Sequence, residues 1–176
     1  MTSDEIIDYY IEFFTKIAEK LYGHTPASPR IFLCSKDMLF SEFSQALRNV
    51  VKGKHLIVFI PDDDEDFSKD NPRGTLEGSI TLVDVFQQGN PSDMIKKQKE
   101  CRQHVRAILK YMKRSSSALF PEESGQTSSL LNNKINFFSN SPGNGTPPIA
   151  NQFVGWNRDF SWSFAENINY GKELFV

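Results

Sequence analysis

The sequence predicts a single α+β domain, with a mixed or mostly antiparallel sheet, an N-terminal helix and one long helix packed on one face. Three observations favour this fold class: apolar spacing of three to four residues near the start, several short β-branched or aromatic runs, and a long amphipathic stretch between them. The chain has 176 residues and a formal net charge of −2. This length fits one domain over residues 1–176.

The first element is predicted as a helix over residues 3–22. Its apolar side chains, among them Tyr10, Phe14 and Ile17, recur at helical spacing and form one stripe. Gly23 stands where a helix commonly ends in a left-handed residue. The stripe indicates a helix that packs on a sheet through one side.

The next elements are predicted as strands. Residues 30–34 form a short apolar run, and HLIVFI (55–60) is apolar at odd and even positions, which is typical of a strand buried on both faces. A short helix is expected between them at 41–51. After the second strand, Pro61 and the acidic run DDDED predict a loop, and GSITLVDVFQQ (78–88) predicts another strand.

The long helix is predicted from Pro91 to about Arg114, with Asn90 as its cap. At 100° per residue its apolar side chains lie on one side and its cations on the other, and only Lys97 falls outside this division. The cations of this basic face are Lys96, Lys99, Arg102, Arg106, Lys110, Lys113 and Arg114. Two interpretations stay open: a solvated face that meets acidic loops such as 62–66, or a surface that binds an acidic partner.

The C-terminal third is predicted to alternate long polar loops with strands. Loops are expected at 115–133 and 139–151, flanking the strand KINFF at 134–138. Residues 167–176 are expected to form a C-terminal arm.

In the ribbon at 152–166, the residues from 154 onward carry their aromatic side chains on even positions and small or polar residues on odd ones. This alternation predicts a half-buried strand with its aromatic face against the helices. The segment NRD around Arg158 indicates a bulge or a tight turn, so one bulged strand and a hairpin both stay open. A partly exposed Trp156 or Trp162 would indicate an intersubunit contact.

No motif for catalysis was found. The three histidines lack a second His or Cys at metal-ligand spacing. The acidic run 62–66 lacks the glycine and glutamate of a calcium loop, and Phe86 stands where a nuclease-like motif after Asp84 would need lysine. No apolar run approaches the ~18 residues of a membrane span. We therefore predict a non-enzymatic protein that uses no metal and no cofactor and meets no membrane.

The order of elements resembles the tail-terminator and tail-completion proteins of the tailed-bacteriophage neck. The segments that carry the resemblance are DEIIDYYIEFFTKIAEKLYG, NPSDMIKKQKECRQHVRAILKYMKR, KINFF and NQFVGWNRDFSWSFAE. The resemblance implies a structural virion protein, made in the host bacterial cytoplasm, which forms a homo-oligomeric ring and contacts neighbouring ring or tail proteins.

In such a ring, duplex DNA would pass through the lumen, and the basic face would lie at the lumen or at a subunit contact. Backbone contact with DNA there would be non-specific. The residues expected to anchor the C-terminal arm on neighbours are Tyr170, Leu174 and Phe175.

Two other functions stay open. One is a non-enzymatic bacterial adaptor or regulatory module that binds an acidic partner through the basic helix 96–114. The other is a metal-dependent enzyme that uses 62–66 and Asp84, for which a stabilising divalent ion would be expected.

Overall fold

The computed structural model of the protein describes residues 3–35, 53–66, 73–115, 136–138, 141–150 and 152–165. The elements are, in chain order, α1 (Ser3–Tyr22), β1 (Ile31–Cys34), β2 (His55–Asp66), β3 (Arg73–Val85), α2 (Pro91–Ser115), β4 (Asn136–Phe138), β5 (Asn144–Gly145) and β6 (Phe153–Ala165). The fold is α+β, as the sequence predicts.

The strands form one mixed sheet in the order β1-β2-β3-β6-β4, and β5 pairs with another part of β6. β1 runs parallel to β2, whereas the other pairs are antiparallel. The three long strands β2, β3 and β6 make up the centre. Both helices pack on one face of this sheet, because side chains of α1 and α2 share one core cluster with the sheet.

Helix α1 matches the predicted N-terminal helix, and its apolar stripe supplies much of the aromatic core. Tyr10 and Phe14 are fully buried, and the Tyr10 hydroxyl donates a hydrogen bond of 2.9 Å to the carbonyl of Phe59 on β2. Gly23 ends the helix with a φ of 64°, and its N–H donates to the Glu19 carbonyl. A residue without a Cβ adopts this left-handed backbone at little cost.

The acidic run after Pro61 is not the predicted loop but the second half of β2. The pairing of β2 with β3 shifts register between Phe59 and Asp62 and then continues to Asp66 opposite Arg73. β1 ends at Cys34, which lies opposite Phe59. Pro61, which has no N–H to donate, therefore lies at the register shift with β3 and beyond the last residue that pairs with β1. A sheet tolerates proline at such a position.

The aromatic ribbon is one continuous strand, so neither the bulge nor the hairpin expected at NRD occurs. Every residue from Phe153 to Ala165 keeps a single register with β3, and Arg158 lies opposite Ile80. A Cβ at Gly155 would collide with the Leu82 carbonyl, so glycine permits the close approach of these strands. The even positions do face the helices, as predicted, because Phe160 and Trp162 belong to the core that the helices share.

The segment predicted as a loop at 139–151 is partly ordered against β6. Asn144 and Gly145 pair with Asn157 and Trp156, and Ile149 is buried and forms a bridge with Phe153. The strand predicted within 134–138 is present as β4. The predicted short helix at 41–51, the loop after Ser115 up to 133 and the arm 167–176 lie outside the described residues.

The second face of the sheet carries a smaller apolar cluster that contains Ile57, Val83 and Phe153. Along β2, His55, Leu56, Ile57 and Val58 are all buried. The sequence prediction that this strand is buried on both faces is therefore confirmed.

Candidate functional site: a cationic stripe on the long helix

Helix α2 starts as its sequence dictates. The Asn90 side-chain oxygen accepts a hydrogen bond of 3.1 Å from the N–H of Asp93, and Pro91 occupies the first turn, where its missing N–H costs nothing. The helix has 25 residues, which corresponds to a length of about 37 Å.

One side of α2 is fixed on the sheet. Cys101, Val105, Ile108 and Met112 are each at most 1% exposed and belong to the shared core. The Trp162 indole N–H also points at the Met112 sulfur, at 3.2 Å. Because these four residues recur at helical spacing, they fix the rotation of the helix, and the opposite side faces away from the sheet.

That outer side carries a line of exposed cations, which we call the cationic stripe. Its members are Lys96, Lys99, Arg102, Arg106, Lys110 and Lys113, all of them exposed. They span 17 residue steps, or about 25 Å of the helix surface. The side chain of Arg114, the remaining residue of the predicted basic face, lies outside the described part of the structure.

The two carboxylates of α2 are used elsewhere. Asp93 accepts a hydrogen bond of 2.7 Å from the N–H of Gln87, in the turn before the helix. Glu100 pairs with Lys54 at 3.3 Å and with Lys97 at 3.9 Å, on the flank of the helix that meets the sheet. The helix itself therefore places no acidic residue within its cationic stripe.

Lys54, Asp84, Lys97 and Glu100 form a compact ionic group, which we call the Asp84 cluster. Asp84 is 4% exposed, and one of its carboxylate oxygens accepts hydrogen bonds of 3.1 Å from both lysines. Its other oxygen accepts a hydrogen bond of 2.8 Å from the N–H of Val85. This buried carboxylate explains why Lys97 departs from the basic face: its ammonium group reaches Asp84.

The electrostatics of the Asp84 cluster are those of a satisfied ion-pair network. Burial by itself lowers the pKa of Lys54, but hydrogen bonds and attraction from Asp84 and Glu100 outweigh it and leave the pKa raised. A lysine held in its charged form neutralises the carboxylates and does not act as a base. The cluster therefore ties α2 to β3 and to the start of β2.

The neighbouring titratable side chains are held in their neutral forms. Burial, with a smaller effect from the negative charge of Asp84, raises the pKa of the Cys101 thiol to about 12. The Cys101 sulfur lies 3.9 Å from the Val154 carbonyl, to which it can donate. Burial and the charge of Lys54 lower the pKa of His104, whose ring lies 3.3 Å from the Tyr22 hydroxyl. A fully protonated thiol is a poor nucleophile, so this region does not have the character of a cysteine–histidine catalytic pair.

His55 is fully buried on the second face of the sheet. Burial, followed by the positive charge of Arg30, lowers its pKa to about 4. One ring nitrogen lies 3.3 Å from the Arg30 guanidinium. The ring is therefore neutral near pH 7 and acts as a packed side chain between Phe32 and Phe153.

The two tryptophans predicted as intersubunit contacts have different environments. Trp156 is partly exposed beside the cationic stripe, and the Arg102 guanidinium lies 5.1 Å from its ring centroid, which is a cation–π distance. Trp162 is 1% exposed among Tyr10, Phe13 and Phe160, so it belongs to the core and does not reach a partner. The three residues expected in the C-terminal arm, Tyr170, Leu174 and Phe175, lie outside the described residues.

Sequence reasoning located the cationic stripe but missed the Asp84 cluster. Its members lie far apart along the chain, and the sequence associates Asp84 only with a nuclease motif that fails at Phe86 and with a metal-dependent enzyme that also uses 62–66. The one available signal was the position of Lys97, which falls outside the cationic side of an otherwise segregated helix.

Over the described parts of the chain, no group of three or more His, Cys, Asp and Glu residues is arranged to hold a metal ion. The same residues contain no helix that is both long and apolar enough to span a membrane.

Comparison with protein-family models gave no match, and comparison with curated proteins gave none either.

Proposed function

We propose that this chain is a non-enzymatic structural protein of a tailed-phage virion. In this proposal it is a tail-terminator or head-tail connector subunit, which assembles with copies of itself into a ring in the neck. The observation that carries the proposal is the cationic stripe on α2, where six exposed cations follow one another without a helix carboxylate among them.

A one-sided row of cations favours an acidic partner. Each exposed charge alone is strongly hydrated, but a row of like charges raises the local potential, which attracts a surface of opposite sign. A single exposed charge does not by itself indicate a partner, because isolated surface ion pairs contribute close to nothing to stability. Trp156 adds an aromatic surface beside the row, and interface centres are enriched in such residues.

The order of elements supports the same proposal. An N-terminal helix, a central sheet, one long helix after the third strand and closing strands are the features on which the resemblance to neck proteins rests. The partners we propose are neighbouring copies, adjacent virion ring or tail proteins and, by non-specific contact, the backbone of duplex DNA. The proposed location is the virion.

A second candidate function is a bacterial adaptor that uses the same cationic stripe to bind one acidic protein. The two functions differ in self-association. A ring subunit associates with itself, whereas an adaptor stays monomeric or dimeric and loses its partner when the stripe is reversed in charge.

The test is the molar mass of the purified protein by light scattering over a concentration series, with negative-stain imaging of the same samples. The proposal predicts a particle whose mass is a multiple of 20.1 kDa and which appears as a closed ring. A monomer at every concentration would favour the adaptor.

A further inference from the structure

The geometry points to a specific occupant for the cationic stripe: the acidic half of β2, residues 62–66, in a neighbouring copy of this chain. The inference rests on the proposed function, because it requires self-association, and it names the contact that would hold the copies together.

The acidic half of β2 lies at an edge of the sheet. β1 pairs with β2 only from Leu56 to Phe59, and the pairing of β2 with β3 continues beyond that point to Asp66. Among the described strands, β3 alone pairs with this half. Its five residues are all acidic, in the order Asp-Asp-Asp-Glu-Asp. A charged edge of this kind resists pairing with another strand, and its sequence concentrates negative charge at this edge.

The fold places the cationic stripe and the acidic half of β2 on different parts of one molecule. α2 packs on β3 and β6, with its stripe facing away from the sheet, whereas β2 lies on the far side of β3 from β6. Two complementary surfaces that lie apart on one chain pair between copies in a head-to-tail manner. Such a contact produces a closed ring when the rotation between copies closes.

The two segments carry opposite charges, and the acidic segment is the shorter of the two. Five consecutive carboxylates extend over about 16 Å of strand, and the stripe presents six cations over about 25 Å of helix. Because the cations of the stripe are exposed, their attraction to a partner is screened over about 10 Å at 0.1 M salt. The contact is therefore expected to weaken as the ionic strength rises.

The experiment compares two charge-reversed variants with the wild type. The stripe variant carries Lys99→Glu and Arg106→Glu, which are exposed and seven residues apart on one side of α2. The edge variant carries Asp63→Lys and Asp64→Lys. Successive strand residues belong to opposite faces of the sheet, so one of the two substitutions lies on the face that meets the neighbouring copy. The control variant Asp8→Lys/Glu19→Lys makes the same change in net charge as the edge variant, at exposed positions of α1.

The inference predicts that each charge-reversed variant alone associates about tenfold or more weakly than the wild type, because like charges then face each other. The control should assemble as the wild type does. An equimolar mixture of the stripe and edge variants should recover assembly, because each mutated surface then meets an opposite one. A single chain that carries both pairs of substitutions should recover it as well.

Three results would overturn the inference. One is assembly of the edge variant as readily as the wild type. Another is failure of the mixture and the combined variant to recover while circular dichroism shows both folded. The third is a stripe variant that forms normal rings but no longer retains duplex DNA, because the stripe then faces DNA. In each of these cases rings of the wild type would still support the proposed function, whereas monomers under all conditions would contradict that function itself.

Discussion

Asp84 is the centre of a largely buried ionic group, because its one carboxylate accepts hydrogen bonds from two lysine ammonium groups. The lysines keep between a fifth and a third of their side-chain surface in contact with solvent. Water can therefore reach the lysines at the rim of the cluster, whereas the centre of the cluster is the buried carboxylate of Asp84. Removing the negative charge at the centre leaves Glu100 as the one carboxylate of the cluster beside two lysines.

The variant Asp84→Asn is expected to lower the free energy of unfolding by about 1–3 kcal/mol, because it removes the buried counterion and leaves both lysines with Glu100 alone. Urea denaturation measures this value. Glu100→Gln is the matched control, since its carboxylate is a third exposed, and it should cost less than about 1 kcal/mol. Equal losses in the two variants would show that Asp84 has no central role.

His55 makes stability depend on pH in a defined direction. Its native pKa of about 4 lies below the ordinary value of 6.5, so the unfolded chain takes up the proton first as the pH falls. The favourable contribution of the neutral ring is fully present above about pH 6.5 and is lost as the pH approaches 4.

The wild type should therefore lose on the order of 2–3 kcal/mol between these pH values through this one group. His55→Phe, which keeps a planar ring but cannot bind a proton, should lose that much less over the same range. Urea denaturation at about pH 4.5 and about pH 7 measures the difference. Equal losses of stability in the variant and in the wild type would contradict the lowered pKa of His55.

At the scale of elements, β6 shows how one strand can serve the core and the surface at once. Its even positions face the helices, but Trp162 is enclosed by α1 and α2 whereas Trp156 lies at the margin of α2 beside Arg102. The same alternation in sequence therefore produces two different environments.

Trp162→Phe is expected to destabilise the protein by about 2–4 kcal/mol, because it opens space in a packed core and removes the indole N–H that points at Met112. Trp156→Phe, the matched control, should cost clearly less. Denaturation curves give both values. Acrylamide should quench the fluorescence of the Trp162→Phe variant, which retains Trp156, more strongly than that of the Trp156→Phe variant. The reverse order of quenching would contradict the burial described here.

The elements also show what the sequence could and could not predict. Helical spacing and the alternation in β6 depend on local periodicity, so both helices and the buried aromatic face were predictable. The extension of β2 through 62–66 was not, because Pro61 and five carboxylates disfavour a strand locally. It forms because β3 supplies a partner and β1 ends before the proline.

The Asp84 cluster could not be predicted for a related reason. Lys54 comes thirty residues before Asp84 and Lys97 thirteen residues after it, so only the tertiary fold brings them together. At Arg158 the sequence predicted an irregularity that the structure does not contain. A polar residue on an apolar face indicated a bulge or turn, but the strand pairs with β3 without interruption.

At the scale of the whole molecule, the net charge is only −2, but positive and negative residues are concentrated in different regions. The chain has 20 lysines and arginines against 22 aspartates and glutamates. Cations collect along α2, and five consecutive carboxylates stand at the edge of β2. A molecule with such a distribution attracts its own copies when they are suitably oriented, and this attraction weakens with salt.

The most direct test of the central claim, that this chain closes on itself into a ring, is analytical ultracentrifugation of the wild type at low and at high ionic strength. We predict one species of fixed copy number at low salt, which dissociates toward the 20.1 kDa monomer as salt is added. A monomer under both conditions, or an open series of ever larger particles, would contradict the claim, because a closed head-to-tail contact produces a single defined size.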